Sequence, residues 1–414
     1  MNQNVIKDQT TAIINARIFD GELVIENKTV VIKGALIQAV GGAVPAGATV
    51  IDGRGKTLLP GLIDSHVHTD MNGLQDALKF GITTELEMQG RWSAKQRKQI
   101  SERNDIADLR SPGMGVTPKG GHPSEYISSS GSLLIRLLCR LPFVFRTVQT
   151  PAEAVKFVDD QIEGGADYVK IFIEDGSCIG FPGLPVLDDK TLKAAVKEAH
   201  RHNKLVIVHA TTNEGAQRAI DAGADCLAHL FFDHAPTPKI VADMASSGAF
   251  IIPTLVTLST AFGNSAAKLA ADERVSSRLS KKWLDSLTRS ANVYPQGKLE
   301  DAYATIRLLR DAGVDILAGC DVSEPIPMLG GLAHGVSLHH ELQLLVAAGL
   351  SPVEALRAAT STPARRFGLT DRGRIAPGAL ADLLLVDGDP STNIEDTLSI
   401  CRVWHRGTLL TEQV

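Results

Sequence analysis

The chain has 414 residues, of which 44% are hydrophobic and 21% charged, so it can bury a large core and is not intrinsically disordered. Its 42 Lys and Arg against 47 Asp and Glu give a net charge of -5. That balance lacks the basic excess that binds nucleic acid or an anionic membrane, so we expect a small-molecule substrate and neither of those partners.

The cysteines and the N-terminus indicate a reducing compartment. The five cysteines are odd in number, lie far apart and include no C-x-x-C pair, which argues against a disulfide framework. The N-terminal stretch MNQNVIKDQTT is polar where a secretory signal is apolar, and no run approaches the ~18 apolar residues of a membrane span. We therefore expect a cytoplasmic protein.

Both flanks of the chain are predicted to form β-structure. Residues 11–57 and 374–410 are strand-and-turn sequence without helical periodicity. Neither flank is long enough to make a stable β domain comfortably by itself. We expect residues 1–57 and 371–414 to pair into one small composite β-sandwich.

Between the flanks, β-branched runs such as DYVKIFI and LVIVHA alternate with amphipathic stretches such as DDKTLKAAVKEAHRHN. Several of these helical stretches end at a residue typical of a C-terminal cap just before the next strand: Gly165, Asn203, Gly223, Gly248 and Gly313. Eight strand-helix units, the weakest near Ile106, predict an α/β fold with a (β/α)8 TIM barrel at residues 58–370.

Two stretches of this barrel, residues 107–149 and 256–297, are longer than ordinary connections and are predicted to cover the active site. The first contains SLLIRLLCRLPFVF, in which Arg136 and Arg140 would share one helix face. An amphipathic helix packed on its own barrel or on a subunit partner is the first interpretation, a lid over the substrate the second, and a membrane contact the weakest. We also expect a homo-oligomer.

The sharpest chemical feature is the strand PGLIDSHVH. His66 and His68 are two positions apart in it, so both side chains lie on one side of the strand and could bind one metal ion. An H-x-H pair also occurs for purely structural reasons, and by itself it is modest evidence.

Other residues of the same chemistry stand in or at the ends of predicted strands. Lys170 lies inside the apolar run DYVKIFI, where an ammonium group is costly to bury without a partner. His209 ends LVIVHA, His229 ends DCLAHL and Asp321 ends DILAGCDV. Because catalytic groups of a barrel come from the C-terminal ends of its strands, we expect these residues to gather on one surface.

These motifs resemble those of the metal-dependent amidohydrolase superfamily, in its binuclear prolidase-like and carboxypeptidase-like form, over nearly the whole chain. The matching segments are PGLIDSHVH, YVKIF, VHA, AHL, AGCD, LRAATSTPAR and GRIAPGALADLLLVD. The resemblance implies a barrel with a two-part sandwich and a two-metal centre. In that centre it places His66 and His68 on the more buried ion, His209 and His229 on the more exposed ion, a carboxylated Lys170 between the ions, and Asp321 beside a bridging water.

The chemistry of these side chains agrees with that ligand set. Burial and nearby cations lower the pKa of a lysine, and a neutral amine can add carbon dioxide to become a carbamate with two oxygens. Zinc is the default for two divalent ions held mostly by imidazole, with manganese or cobalt as alternatives. Asp321 could take the proton of a metal-activated hydroxide as it attacks a carbonyl and pass it to the leaving nitrogen.

Deamination at one metal ion is the competing chemistry within this superfamily, and in those relatives a glutamate follows the fifth-strand histidine by two or three positions. Here Ala210, Thr211 and Thr212 follow His209, and Glu214 comes too late. The segments HAT and GCD also depart from those of prolidase-like relatives, so the resemblance does not identify a particular substrate.

Three further histidines are weaker candidates for substrate contacts. His122 lies in the GGHP loop of the first insertion and resembles a pocket histidine of prolidase-like relatives, whereas His234 follows the sixth strand and His334 lies beyond Asp321. Each could equally be an ordinary structural histidine.

The sequence therefore predicts a hydrolase for the amide bond of a small molecule, such as an N-acyl amino acid or an Xaa-Pro dipeptide. Hydrolysis of an ester, lactone or phosphotriester at the same two ions is the nearest alternative. Two weaker alternatives are a mononuclear deaminase and a catalytically silent scaffold protein.

Overall fold

The computed structural model describes residues 10–26, 28–129 and 146–410. The predicted helix in SLLIRLLCRLPFVF, with Arg136 and Arg140, lies outside these ranges, so the choice between a lid, a packing helix and a membrane contact stays open. Within the described ranges, none of the helices has the length and apolar character needed to span a bilayer.

The N-terminal flank is built from short strands rich in β-branched residues. They are β1 (Thr10–Ile14), β2 (Arg17–Phe19), β3 (Val24–Ile25), β4 (Val30–Lys33), β5 (Leu36–Val40), β6 (Thr49–Asp52) and β7 (Lys56–Pro60). One sheet has the order β5-β4-β1-β6, in which β1 runs antiparallel to β4 and parallel to β6.

Parallel strands follow in the central part of the chain. They are β8 (Leu62–Val67), β9 (Ile82–Glu87), β10 (Asp108–Arg110), β11 (Val169–Phe172), β12 (Val206–His209), β13 (Cys226–Ala228) and β14 (Phe250–Ile252). They pair in the orders β10-β9-β8 and β11-β12-β13-β14. Nearly every residue in them is buried, as expected for parallel strands covered by helices.

Helices alternate with these strands and continue after them. Up to β14 they are α1 (Met71–Lys79), α2 (Ala94–Ser101), α3 (Ser124–Ser129), α4 (Pro151–Glu163), α5 (Asp189–Arg201), α6 (Asn213–Asp221) and α7 (Pro238–Ser247). After β14 come α8 (Leu255–Ala261), α9 (Ala267–Ala271), α10 (Glu273–Ser276), α11 (Lys281–Leu287), α12 (Leu299–Asp311), α13 (Val336–Ala347), α14 (Pro352–Ala358) and α15 (Ser361–Arg366).

The helix α5 shows how local sequence sets these elements. Asp188 caps its N-terminus by accepting the backbone N–H groups of Lys190 and Thr191. The residues predicted to end helices all adopt the left-handed conformation that turns the chain toward the next strand, with φ values of 92° at Gly165, 54° at Asn203, 92° at Gly223, 73° at Gly248 and 82° at Gly313. The predicted helix ends are therefore confirmed.

The segment DILAGCDV, predicted as the eighth strand, forms isolated bridges and no continuous ladder. Ile316 bridges Ile251 of β14, and Val322 bridges Val67 of β8. Between the two bridges, a Cβ added at Gly319 would lie 2.8 Å from the amide nitrogen of His66, so only glycine permits this approach. The segment thus connects the last strand of the series to the first.

The third strand lies close to the weak run near Ile106 that predicts it, but the predicted bounds of the first insertion overlap it. β10 (Asp108–Arg110) falls inside the range 107–149 predicted as that insertion. Two of its three residues are charged, so it lacks the apolar pattern of its neighbours. The first insertion therefore begins after β10, whereas the stretch 256–297 holds most of α8 and the short helices α9 to α11.

The C-terminal flank adds β15 (Leu383–Asp387), β16 (Ile400–His405) and β17 (Thr408–Leu409) to a second sheet of order β17-β16-β15-β7-β2-β3. In this sheet β15 lies antiparallel to β7, with Leu383 opposite Pro60. Side chains from both flanks share one buried cluster that includes Ile18, Leu58 and Trp404. The first and last parts of the chain thus complete one sheet.

A buried arginine joins the C-terminal flank to the central strands. Arg372 is 4% exposed and donates to Asp108 of β10 at 2.6 Å and to Thr84 of β9 at 2.8 Å. Burial by itself would raise the pKa of Asp108, but the guanidinium groups of Arg372 and Arg406 overcome this effect and hold the pKa below its usual value. Asp108 therefore stays ionised inside the protein.

Replacing Arg372 with methionine should destabilise the protein by about 3 kcal/mol, because breaking a buried ion pair leaves the carboxylate of Asp108 incompletely compensated. Chemical denaturation at neutral pH measures the loss. The control Arg54→Met removes a guanidinium that is 81% exposed, and it should leave stability unchanged. Equal stability of the two variants would show that this junction does not depend on the buried pair.

A buried acidic side chain caps α8. The carboxylate of Glu341 in α13 accepts the backbone N–H groups of Leu255 at 3.0 Å and Val256 at 2.8 Å, and its side chain is fully buried. Burial raises the pKa of Glu341 to about 8, although the two hydrogen bonds act in the opposite direction. The folded protein therefore favours the neutral acid here.

This raised pKa predicts a pH-dependent stability. The favourable contribution of protonated Glu341 is fully present below the pKa of an unfolded glutamate and is lost as the pH rises toward about 8. Glu341→Gln, which stays neutral, should therefore gain on the parent between pH 5 and 8, by up to about 1.4 kcal/mol per pH unit. Thermal melts across this range measure the difference. Glu300→Gln makes the same substitution on an exposed residue and serves as the control. A difference for Glu341→Gln that does not change with pH would contradict the prediction.

Candidate metal centre

His66, His68 and Asp321 form a compact group at the C-terminal end of β8. The Nε2 atoms of both histidines lie 3.2 Å from Oδ1 of Asp321, and one potential ligand atom from each residue lies within 4.8 Å of the others. Neighbouring ligands on a tetrahedral ion with bonds of about 2.0 Å are about 3.3 Å apart. The donor atoms therefore have the spacing that a divalent ion requires.

The backbone holds Asp321 in this position. Its φ of 55° lies in the left-handed region, which aspartate tolerates better than most residues. Its amide N–H donates to the carbonyl oxygen of His66 at 2.7 Å, which ties the segment to β8. The eighth segment thus departs from strand geometry at the residue whose carboxylate meets the histidines.

His209 and His229 adjoin this group from the ends of β12 and β13. Nδ1 of His209 lies 3.1 Å from Nε2 of His229, and that Nε2 lies 3.8 Å from Oδ2 of Asp321. The rings of His229 and His66 are 4.7 Å apart between centroids. His229 therefore lies against both Asp321 and His66.

Lys170 completes the set from β11. Its side chain is 1% exposed, and Nζ has no hydrogen-bond partner among the described residues. Burial lowers the pKa of Lys170 to about 8, against the opposing influence of Asp321. Nζ lies 5.4 Å from the ring centroid of Phe172. A buried amine without a hydrogen-bond partner is still costly, so the site fits a further group that this lysine would contact.

The ionisation states also suit metal binding. Burial holds the pKa values of His66, His209 and His229 well below the usual range, so their imidazoles are neutral and can act as ligands. Burial by itself would raise the pKa of Asp321, but His229 and His66 overcome this effect and hold it well below its ordinary value. The centre combines neutral imidazoles with one carboxylate.

Of the weaker candidates, His122 lies beside the centre. Its ring centroid is 4.5 Å from that of His209, and its Nδ1 is 2.5 Å from Oε1 of Glu125. The aromatic rings of Phe172 and Tyr126 lie 5.3 and 5.7 Å from it. Sequence reasoning did not single out this aromatic wall, because the residues come from separate loops and strands.

The other two candidates contact different residues. His234 is exposed on the loop after β13, with Nδ1 2.8 Å from the carbonyl oxygen of Ala235. His334 is 3% exposed, with its ring 5.1 Å from that of Trp283 and Nδ1 3.6 Å from Oε1 of Glu85. Neither is brought against the expected metal ligands by these contacts.

Two residues that contact the outer ring nitrogens of His209 and His229 were not identified from the sequence. Oε2 of Glu174 is 3.0 Å from Nε2 of His209, and Oγ1 of Thr254 is 2.6 Å from Nδ1 of His229. A carboxylate directly after the strand DYVKIFI was a signal that could have identified Glu174, whereas Thr254 had none. Thr254 also has a φ of 51°, which is unusual for a β-branched residue.

An α/β fold with parallel strands whose ends gather histidines, a lysine and an aspartate fits a metal-dependent enzyme. Residues 57–410 match the model of the amidohydrolase family, so the chain belongs to that family and is an enzyme.

Named relatives cover most of the chain. An uncharacterized protein of Mycobacterium tuberculosis is 26% identical over 358 residues, which are 83% of this chain and 82% of that protein. The ochratoxinase of Aspergillus niger is 23% identical over 442 residues, covering 94% of this chain and 84% of the relative. A solved Xaa-Pro dipeptidase with bound methionine has a TM-score of 0.75 at 23% identity and covers 98% of this chain and 100% of its own. These likenesses agree on the fold across almost the full length.

Proposed function

We propose that this enzyme hydrolyses the amide C–N bond of a small molecule, such as an N-acyl amino acid or an Xaa-Pro dipeptide, at a centre of two divalent ions. The observation that carries the proposal is the buried Nζ of Lys170, which has no hydrogen-bond partner among the described residues and belongs to the strand beside His209. The similarity to an ochratoxinase and an Xaa-Pro dipeptidase supports the same reaction class.

The donor set suggests how the ions would be held. His66 and His68 would bind the more buried ion, and His209 and His229 the more exposed one. Lys170, carboxylated by carbon dioxide at Nζ, would contact both, because its lowered pKa favours the neutral amine that this addition needs. Zinc suits a set of imidazoles with oxygen donors.

The reaction then depends on a few side chains. The ions would supply a nucleophile at neutral pH and polarise the scissile carbonyl. Asp321, ionised and with 18% of its side chain exposed, accepts the proton of the attacking nucleophile and returns it to the leaving nitrogen. His122 lies beside His209 and orients the substrate.

We further propose the domain arrangement that this site requires. The bridges Ile251–Ile316 and Val67–Val322 support closure of the central strands into a barrel at residues 58–370. A third bridge, from Val116 beyond the end of β10 to Ile171 of β11, supports the same closure. Residues 1–57 and 371–414 would then form the composite sandwich beside it.

Lys170→Ala should lose hydrolysis and metal, because the residue between the ions is gone. Short carboxylic acids should partly restore both by supplying two oxygens in its place. Elemental analysis and turnover of a panel of N-acyl amino acids and Xaa-Pro dipeptides measure these effects, with the exposed Lys190→Ala as the control. A parent enzyme that holds at most one ion after reconstitution with metal and bicarbonate would contradict the two-ion centre and favour deamination.

Asp321→Asn should keep the fold but lower kcat by roughly 10²- to 10⁴-fold, since an amide cannot accept the proton. His122→Asn should instead raise KM more than it lowers kcat. Steady-state kinetics on the best substrate of the panel, with metal content measured on the same samples, separate the two effects. Full metal occupancy with kcat within threefold of the parent in Asp321→Asn would assign the proton transfer to another group.

A further inference from the structure

The outer nitrogens of His209 and His229 have hydrogen-bond partners of different charge. Nε2 of His209 meets the carboxylate of Glu174 at 3.0 Å, whereas Nδ1 of His229 meets the hydroxyl of Thr254 at 2.6 Å. Their inner nitrogens face each other at 3.1 Å. The two expected ligands of the more exposed ion therefore have different support.

Glu174 is itself held from several sides. It stands just beyond β11 and is 2% exposed. Its Oε2 also accepts the hydroxyl of Thr211 at 2.5 Å, and its Oε1 accepts the backbone N–H of Gly176 at 2.7 Å. These contacts fix the plane of the carboxylate, and they account for the hydroxyl of the HAT segment two residues after His209.

The chemistry of these contacts selects one tautomer of His209. Both oxygens of Glu174 already accept hydrogen bonds, from Thr211 and from Gly176, so the oxygen that meets Nε2 of His209 acts as an acceptor. The proton of the neutral ring then lies on Nε2, and the lone pair of Nδ1 faces His229. The hydroxyl of Thr254 both donates and accepts, so it does not select a tautomer of His229 in the same way. A carboxylate behind a histidine ligand also raises its basicity.

The neighbours of Glu174 make a purely structural role a poor explanation. Within the part of the chain that the structure describes, its polar contacts are a hydroxyl, a backbone amide and a neutral imidazole, and they include no lysine or arginine. A buried carboxylate without a cationic partner is costly. That cost is offset when a metal ion lies on the far side of the imidazole.

We propose that Glu174 is the positioning residue that directs Nδ1 of His209 toward the more exposed ion, and that Thr211 holds Glu174 in that orientation. This inference rests on the proposed metal centre. It adds that the affinity for the more exposed ion depends on a carboxylate that does not touch the ion.

The test uses the full-length enzyme reconstituted with Zn²⁺ or Co²⁺. Glu174→Gln keeps the shape of the side chain but removes its charge, and it should weaken the more weakly held ion by about 10- to 100-fold. Thr211→Val should weaken it less, and Thr211→Ser, which keeps the hydroxyl, should match the parent. Glu214→Gln makes the same substitution on an exposed residue of α6 and serves as the control.

Three measurements separate positioning from folding. Chelator competition gives the Zn²⁺ Kd, the visible spectrum of the Co²⁺ form reports the ligand geometry, and thermal melting of the metal-free protein reports the fold. For Glu174→Gln we expect a higher Zn²⁺ Kd and an altered Co²⁺ spectrum, with a melting temperature close to that of the parent.

The outcomes distinguish this inference from the proposed function. A Zn²⁺ Kd for Glu174→Gln within twofold of the parent value overturns the positioning role. If Glu174→Gln does not fold, equal Kd values for Thr211→Val and Thr211→Ser overturn it instead. A parent that binds only one ion contradicts the two-ion centre, while the ratio of variant to parent Kd still decides the role of Glu174.

Discussion

The cost of burying an amine in the middle of parallel strands governs the arrangement of this centre. Lys170 occupies a position in β11 where an aliphatic side chain would pack without difficulty, and no described residue donates or accepts a hydrogen bond at Nζ. The histidines around it are neutral, and Asp321 brings a negative charge among them. The residues at the strand ends thus combine neutral imidazoles with one buried amine and one carboxylate.

The irregular segment after α12 serves both the fold and the chemistry. Its bridges connect β14 to β8, which a regular strand could also do. A regular strand would not provide the left-handed turn at Asp321 or the close approach at Gly319, and both lie against His66. The same few residues therefore join the sheet and place the carboxylate.

The sequence was sufficient for the elements whose pattern is local. The strand-end histidines, the lysine in an apolar strand and the helix caps all follow from periodicity and residue type. The structure places the histidines and the lysine close together. The predicted first insertion overlaps β10 because this strand lacks an apolar pattern, and its Asp108 pairs with Arg372, a partner 264 positions away. Glu174 and Thr254 were missed because a hydrogen bond to the outer nitrogen of a histidine depends on how neighbouring strand ends align. Chain order placed His234 after the sixth strand, but its exposure depends on the course of the loop.

The pairing of β7 with β15 affects how the chain is made as well as how it is held. Lys56 and Asp387 meet across this pair although they are 331 positions apart. At typical synthesis rates, about 15 to 65 s separate the appearance of these two residues on the ribosome. During that interval β7 has no β15 beside it, and its free edge can pair with other nascent chains. One edge of β7 therefore lacks its native partner until translation is nearly finished.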